Sequence, residues 1–374
     1  MQGLIERIER KLTLNLPDQL ALVFDGCTFG STHYVACIFP VRRSDWLLPR
    51  IVSICTNQQR GLAKCGCAFR VCELLYGKSW ENVVALIGDN CSTNVAFARL
   101  AGVPLAGCAS HLFNLFVSDL LSNHDVVIQK VNILMRKLRN ILPASCLRRL
   151  TPLWAKTLNA TRWTSAFSML TLYSAIKTFI GHMGDNDIDM LRLSPVEERK
   201  VDALLVVLGD LNSITLALQN EECTLFDVRR IFDTVVEDYP DAARRLGETA
   251  DIVHYPGFES GVVKILRENE EGMSATEVRD VQPLASSAAQ PILPLSQRAL
   301  KKQRVGRVVG GDMDCRFVRP TSNMCERFFF VTKLVIGDHR CSITPKNFEE
   351  QTSLRANSHL WGVEDVHETM RSFE

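Results

Sequence analysis

The sequence predicts an α/β protein with a mixed five-stranded sheet, flanked by helices and interrupted by an all-helical insertion. Two observations lead to this fold class. In the first third of the chain, β-rich runs and helical apolar spacing follow each other in the order β-β-β-α-β-α-β-α. After about residue 125 the apolar spacing is almost wholly helical. A chain of 374 residues has room for two domains, or for one large domain with an insertion.

Three β-rich runs open this order: LALVFDG (20–26), HYVACIFPV (33–41) and WLLPRIVSIC (46–55). The short connection CTFGST between the first two predicts a hairpin. Residues 58–78 then have helical apolar spacing and a glycine near their end, which predicts the first helix after the strands.

Two β/α units follow. NVVALIGD (82–89) is the fourth predicted strand, and CSTNVAFARLAG (91–102) is a short helix that ends at a glycine. VPLAGCASH (103–111) is a fifth, short strand that leads into an apolar helix. An antiparallel start followed by alternating units predicts a mixed sheet with helices on both faces.

The predicted domain boundaries follow from these patterns. Residues 1–125 form the first part of the core, and 126–300 form a mainly helical insertion with a linker. Residues 301–319 form a basic loop, and 320–374 return to helical order.

The composition excludes several classes of protein. No run of 18 or more apolar residues is present, and the N-terminus is charged and amphipathic, so neither a membrane span nor a signal peptide is expected. The thirteen scattered cysteines indicate reduced thiols inside a cell. Cys65, Cys67 and Cys72 lack a second pair at zinc-binding spacing, so no zinc site is predicted.

Two aspartates occupy matching places, because Asp25 ends the first predicted strand and Asp89 ends the fourth. Reactive groups in α/β sheets collect at the carboxyl ends of strands. Two carboxylates in one crevice suit a divalent cation such as Mg²⁺. The structural alternatives are a turn residue for Asp25 and a helix N-cap for Asp89.

At this point the sequence resembles the hAT (hobo-Activator-Tam) family of transposases. FDGCTFGSTHYVACIFP, IGDNCSTN, GCASHLFNL and NATRWTSAFSML resemble four successive family motifs. The segment beginning TSNMCERFFF resembles the family's C-terminal dimerisation region. The resemblance runs from about residue 14 to 361, with the motifs in the family's order.

The resemblance implies an RNase H-like core and supplies a third acid, Glu326. Asp25, Asp89 and Glu326 then form a D-D-E set that binds Mg²⁺, with Mn²⁺ as an alternative. The implied chemistry is metal-dependent cleavage and transfer of DNA strands in the nucleus. Residues 320–374 would complete the core, with self-association through 320–361. From the residues alone, Glu326 is a helix residue that pairs with Arg327 or Lys333.

Four more residues have both a functional and a structural interpretation. The resemblance implies that Cys108 and His111 bind DNA near the cleavage point, whereas the alternative is a buried thiol and a helix-capping imidazole. It also implies that Arg162 and Trp163 bind DNA, with the indole stacking on a flipped base. The alternative for Trp163 is a core residue at the start of a helix.

The chain also departs from the family pattern. Cys27 and Phe330 stand where the family usually has Trp and Ser, and no C-x-x-C…H-x-x-x-H arrangement precedes Asp25. The N-terminal BED-type zinc finger of autonomous family members is therefore not expected here. A catalytically inactive, domesticated or truncated remnant that dimerises and binds DNA or protein is the second hypothesis. An unrelated metal-dependent nuclease is the third, and it leaves CERFFF and ATRW unexplained.

Overall fold

The computed structural model describes residues 1–29, 32–40, 47–54, 78–159, 162–285, 315–336 and 344–371. The chain divides into two compact units. Met1–His111 and Glu221–Glu374 form one, called here the sheet unit. Leu112–Asn220 form the other, called here the helical unit.

The strands of the sheet unit pair in the order β3-β2-β1-β4-β5. Their bounds are β1 Leu20–Phe29, β2 Thr32–Phe39, β3 Leu47–Ile54, β4 Val83–Gly88 and β5 Leu105–Gly107. The β1–β2 and β2–β3 pairs are antiparallel, whereas β1–β4 and β4–β5 are parallel. The predicted mixed α/β class is confirmed.

The described α-helices are numbered here in chain order. They are α1 Gln2–Asn15, α2 Ser92–Ala101, α3 Ala109–Ser122, α4 Asp125–Lys137, α5 Ile141–Leu150, α6 Trp163–Ile180, α7 Asn186–Asp189, α8 Pro195–Leu218, α9 Leu225–Asp238, α10 Ala243–Leu246, α11 Pro256–Leu266, α12 Ala275–Val281, α13 Asn323–Ile336, α14 Pro345–Ala356 and α15 Val363–Arg371.

Helices cover the sheet on both faces, as its alternating side chains require. Val23 and Ile87 point to one face and join a buried cluster with residues of α11, α13 and α14. Leu22 and Leu86 point to the other face and pack with residues of α1 and α2. Because the strands are buried on both faces, β4 is apolar throughout instead of alternating with polar residues.

The first strand is longer than predicted. The prediction that it ends at Asp25 is wrong, because β1 continues to Phe29 by pairing with β2. The predicted helix at 58–78 lies outside the described residues except for Lys78, as does 301–314 of the predicted basic loop. The glycine that ends the predicted second helix is Gly102, which adopts φ 65° as the C-cap of α2.

The boundaries of the helical unit differ from the predicted insertion. It spans Leu112–Asn220, whereas the prediction placed the insertion at 126–300. The physical reason is packing: Phe258, Val262 and Ile265 on α11 are buried in the cluster that lies on the sheet. Periodicity shows that these residues are helical, but it does not show against which element they pack.

Ion pairs join the helices of the helical unit to one another. Lys177 on α6 bonds the Glu198 carboxylate at 3.0 Å, and Lys137 on α4 bonds Asp187 at 2.8 Å. Among the described helices, only α8 is long and apolar enough to cross a membrane by length and composition. It begins with a capping box between Ser194 and Glu197 and buries one side, which is typical of a packed helix in a folded unit.

A network around Glu277 fixes α11 against α12. Its carboxylate accepts hydrogen bonds from the Ser260 hydroxyl at 2.6 Å, from Lys264 at 2.8 Å and from the Ser274 backbone N–H at 2.6 Å. Burial alone would raise the Glu277 pKa, but these donors outweigh it and lower the pKa to about 2.

We expect Glu277→Gln to lower the free energy of unfolding by about 1–2 kcal/mol at pH 7, because the lost bonds are made to a charged group. The folded-state pKa is depressed, so this contribution is present above pH 4.5 and is lost as the pH falls towards 2. Urea unfolding of both proteins at several pH values measures it. Glu271→Gln on the neighbouring exposed surface is the control, and an equal loss in both variants would contradict the assignment.

Candidate functional site

Asp25 and Asp89 follow directly after the last row at which β1 and β4 run side by side. Val23 pairs with Ile87, and one residue further on a Cβ atom added to Gly88 would lie 3.2 Å from both the carbonyl oxygen and the ring of Phe24, so the strands are still closely packed at this row. Glycine permits that approach because it has no side chain. Along each chain segment the next residue is an aspartate: Asp25 follows Phe24, and Asp89 follows Gly88. Neighbouring strands of a sheet lie about 4.8 Å apart. The two carboxylates therefore stand on adjacent backbones.

Cys108 continues the same row on the far side of Asp89. Gly88 pairs with Gly107 across β4 and β5, and the Cys108 N–H donates to the Gly88 carbonyl at 2.9 Å. One turn later, on α3, His111 Nδ1 lies 3.7 Å from the Asp89 carboxylate. That distance is too long for a hydrogen bond but allows an ion pair when the imidazole is protonated.

The structural alternatives for the two aspartates are wrong. Asp25 lies inside β1, not in a turn, and its carboxylate accepts the Gly26 N–H at 2.7 Å. The N-cap of α2 is Cys91, and no side chain caps this helix. Asp89 contributes only its backbone carbonyl, which accepts a bond from the Asn94 side chain at 2.9 Å. Neither carboxylate is therefore explained by the local role that the sequence suggested.

Glu326 reaches the same end of the sheet unit from more than 200 residues away in sequence. It lies in the first turn of α13, whose start is bound to the start of α3. The Ser322 N–H donates to Cys108 Sγ at 3.3 Å, and the Asn323 side chain donates to the Ser110 hydroxyl at 2.9 Å. These two bonds place the first turn of α13 beside the row that contains Asp89.

The neighbouring Arg327 has a carboxylate partner outside its helix. Its guanidinium pairs with Glu221 at 3.1 Å, and Glu221 also accepts a bond from Arg319 through its backbone carbonyl. The pairing of Glu326 with Arg327 or Lys333 stays a prediction, and the side chain of Lys333 lies outside the described residues.

The three acids each influence the pKa of one of two buried thiols, Cys108 and Cys325. Burial raises the pKa of Cys108 to about 11, with a further contribution from Asp89. Burial raises the pKa of Cys325 well above its usual value, and Asp25, Cys108 and Glu326 are among the groups that add to this. Both thiols therefore stay protonated at neutral pH. Asp25, Asp89 and Glu326 each lie close enough to act on one of two neighbouring thiols.

The donors at this site fit a hard cation in chemistry. Protonated thiols are poor metal ligands, so the carboxylate oxygens are the available donors. Mg²⁺ is usually held by one or two carboxylates together with waters and substrate phosphates. Asp25 and Asp89 could supply these two carboxylates. Within the described ranges, no group of three or more His, Cys, Asp or Glu side chains is arranged to hold a metal ion.

A fourth carboxylate, which the sequence did not single out, supports the end of β5. Glu259 on α11 accepts the Gly107 N–H at 3.0 Å. Glu259 is only partly buried as a residue, but its carboxyl group lies inside the protein, and burial raises its pKa to about 7. Opposite it, the Asn90 side chain donates to the Ile252 carbonyl at 2.6 Å. No local pattern marks Glu259, because its partner lies 152 residues away.

Trp163 and Arg162 lie in the helical unit, at the start of α6. The Trp163 indole is 5% exposed and packs against Phe113 and Phe167, with ring centroids 6.5 Å and 6.2 Å away. This placement matches the core interpretation of Trp163, and stacking on a base would need the indole to leave its neighbours. Arg162 is exposed at the N-cap of the same helix.

We expect the free energy of unfolding of Glu259→Gln to depend less on pH than that of the wild type between pH 4.5 and 7. The raised pKa means that the folded wild type keeps a proton between pH 4.5 and 7 that the unfolded chain has lost, so its stability falls over that window. Glutamine still accepts the Gly107 N–H without a charge. The difference in unfolding free energy between variant and wild type should grow by up to about 3 kcal/mol from pH 4.5 to 7.

Chemical denaturation at stepped pH measures this difference. Glu248→Gln, an exposed carboxyl in the same unit, is the matched control and should track the wild type. A constant offset between Glu259→Gln and wild type at all pH values would show that this carboxyl titrates normally.

Comparison with known proteins assigns neither a family nor a function to the chain. No protein-family model matches the chain, and no curated protein matches it. The resemblance to hAT transposases therefore rests on the sequence motifs.

Proposed function

We propose that this chain is a hAT transposase-derived protein that binds DNA and cleaves and transfers its strands with Mg²⁺. The observation that carries the proposal is the parallel pairing of β1 with β4 up to Val23 and Ile87, with an aspartate two residues further on in each strand direction. The sheet order, antiparallel on one side of β1 and parallel on the other, supports assigning it to the RNase H-like class. A DNA substrate would place the protein in the nucleus.

Each acid has a distinct part in the proposed chemistry. Asp25 and Asp89 would hold Mg²⁺, with Mn²⁺ as an alternative, at the end of the sheet. The bound ion supplies Lewis-acid activation of a water or 3′-hydroxyl and of the leaving oxygen. Glu326, one helical turn into α13, would join these two when DNA is bound. His111 would flank the DNA strand at the start of α3, where it already faces Asp89. The Cys108 thiol is buried, so its part would be to hold the start of α13 through Ser322 and not to contact DNA.

Self-association through residues 320–361 is the second part of the proposal. Phe330 on α13 is 69% exposed, although Phe328 and Phe329 beside it are buried. Self-association itself follows from the family resemblance, and Phe330 is the large exposed apolar side chain within the described part of 320–361 at which it can be tested. Removing the whole segment is not a usable test, because Cys325 and Phe348 belong to the core of the sheet unit.

The alternative function keeps the fold and the DNA- or protein-binding role without catalysis. The observations that favour it are Cys27 and Phe330, which stand where the family usually has Trp and Ser. A dimeric, inactive remnant of a transposase would keep the sheet while such positions change.

We expect the wild-type chain to nick supercoiled plasmid DNA when Mg²⁺ or Mn²⁺ is supplied. Asp25→Asn and Asp89→Asn should each reduce the rate at least about a hundredfold, because each removes a charge that stabilises the transition state. Glu326→Gln should show a similar loss. Gel analysis of nicked and linear products gives the rates.

Asp18→Asn is the matched control, since this carboxylate lies just before β1 with its side chain 96% exposed. It should nick like the wild type. Equal rates for wild type and all acid variants would exclude the catalytic proposal, whereas inactivity of the wild type with both metals would favour the inactive remnant.

We expect Phe330→Glu to weaken self-association at least about tenfold, because it places a charge in an apolar contact. Sedimentation velocity over a range of protein concentrations measures the change. Val363→Glu introduces the same charge at a 75% exposed position on α15, outside 320–361, and should leave the association unchanged. A monomeric wild type would disprove the dimer directly.

A further inference from the structure

The helical unit contains a long stretch without a single carboxylate. Residues 126–184 include nine lysines and arginines and no aspartate or glutamate, although the whole chain has a net charge of only +1. The nine cations are Lys130, Arg136, Lys137, Arg139, Arg148, Arg149, Lys156, Arg162 and Lys177. A local excess of this size indicates an anionic partner.

Acids from outside this stretch neutralise one part of it. Lys130 pairs with Glu197, Lys137 with Asp187, and Lys177 with Glu198 and Asp202. Within the described part of the chain, five other cations have no carboxylate partner: Arg136, Arg139, Arg148, Arg149 and Lys156. Arg136 and Arg139 lie shortly before α5, Arg148 and Arg149 lie in its last turn, and Lys156 lies in the irregular segment after it, so the uncompensated charge is concentrated there.

A cavity of about 240 Å³ lies among these cations. Its wall includes Leu138, Leu147, Leu153, Trp154, Arg139 and Arg148. Leu138 and Leu147 are each 1% exposed and form an apolar floor. The volume is below the roughly 300–1,000 Å³ of pockets that enclose drug-sized ligands, so the cavity suits one flat ring system.

Trp154 is the feature that gives this cavity a chemical preference. Its indole is 67% exposed, on a segment without regular structure, and it makes no ring contact with another described residue. An exposed indole beside two arginines matches the two parts of a nucleotide. The ring can stack on a base, while guanidinium groups bind the phosphate. Arg139 and Arg148 are both exposed and can orient towards such a group.

We propose that this cavity binds a nucleotide of single-stranded DNA, with the base stacked on Trp154 and the phosphates bound by Arg148 and Arg139. Stacking requires an unpaired base, which is why a single strand is favoured over a duplex. None of Asp25, Asp89, Glu326 and Trp163 lines the cavity. It shares with the proposed function only the premise that the protein binds DNA.

The test is fluorescence anisotropy of the full chain with labelled oligo(dT), in EDTA so that the acids and Mg²⁺ play no part. Trp154→Ala should weaken binding about five- to hundredfold, since one stacked base is lost. Trp154→Phe should recover most of the affinity. Arg148→Gln should reduce the slope of log affinity against log salt by about 0.7.

Two matched controls lie in the same unit. Met190→Ala removes another exposed apolar side chain, and Arg199→Gln removes another exposed cation, neither of them at the cavity. Both should bind like the wild type. An oligonucleotide of the same length with abasic sites should bind as weakly to the wild type as oligo(dT) binds to Trp154→Ala.

Four outcomes would overturn the proposal. The first is equal binding of wild type, Trp154→Ala and Trp154→Phe to oligo(dT). The second is duplex DNA bound as tightly as the single strand. The third is a Trp154-dependent preference for oligo(U), which would reassign the cavity to RNA. The last is a change of sedimentation in Trp154→Ala without loss of DNA binding, which would assign the surface to protein association. Nicking by the wild type with Mg²⁺ is independent of all four.

Discussion

The candidate site depends on the parallel pairing of β1 with β4. Val23 pairs with Ile87, and one residue further on Gly88 lies so close to Phe24 that an added Cβ atom would be 3.2 Å from the Phe24 carbonyl oxygen. Beyond this row β4 ends, whereas β1 continues only with β2. The sheet therefore opens at Asp25 and Asp89. A side chain at 88 would meet the carbonyl oxygen and the ring of Phe24, so Phe24, the residue directly before Asp25, would have to shift by a few tenths of an ångström.

The rest of the sheet unit holds this opening in place. Glu259 binds the backbone of Gly107, the last residue of β5, and Ser322 binds Cys108 directly after it. These contacts join α11 and α13, which are far apart in sequence, to one corner of the sheet. The two thiols at this corner stay neutral because they are buried beside carboxylates. The corner thus combines a fixed backbone with oxygen donors and no competing thiolate ligand.

Local patterns in the sequence predicted those parts of the structure that depend on neighbouring residues. The hairpin of β1 and β2, the helix that begins at Ser92, and the Gly102 cap all follow from periodicity and from glycine's freedom at positive φ. Asp25 and Asp89 could be chosen because each follows an apolar strand run. That the two aspartates lie on neighbouring strands could not be predicted, because hydrophobic periodicity does not give the order of strands in a sheet.

Other parts could not be predicted because they depend on distant contacts. The role of Glu259 arises from a hydrogen bond across 152 residues, and the grouping of α11 with the sheet arises from packing of Phe258 and Val262. Glu326 was chosen only through family resemblance, since its helix pattern is ordinary. For Trp163 the family motif suggested a DNA-binding residue. In the structure its indole packs against Phe113 and Phe167 as part of the core.

We propose above all that Asp25 and Asp89 bind one divalent cation at the end of the sheet. A crystal of the full chain soaked in Mn²⁺ and measured at the manganese absorption edge tests it most directly. The expected result is an anomalous peak about 2.1 Å from a carboxylate oxygen of each aspartate, lost in Asp89→Asn. Manganese bound only elsewhere, or the two carboxylates turned to opposite faces of the sheet, would contradict it.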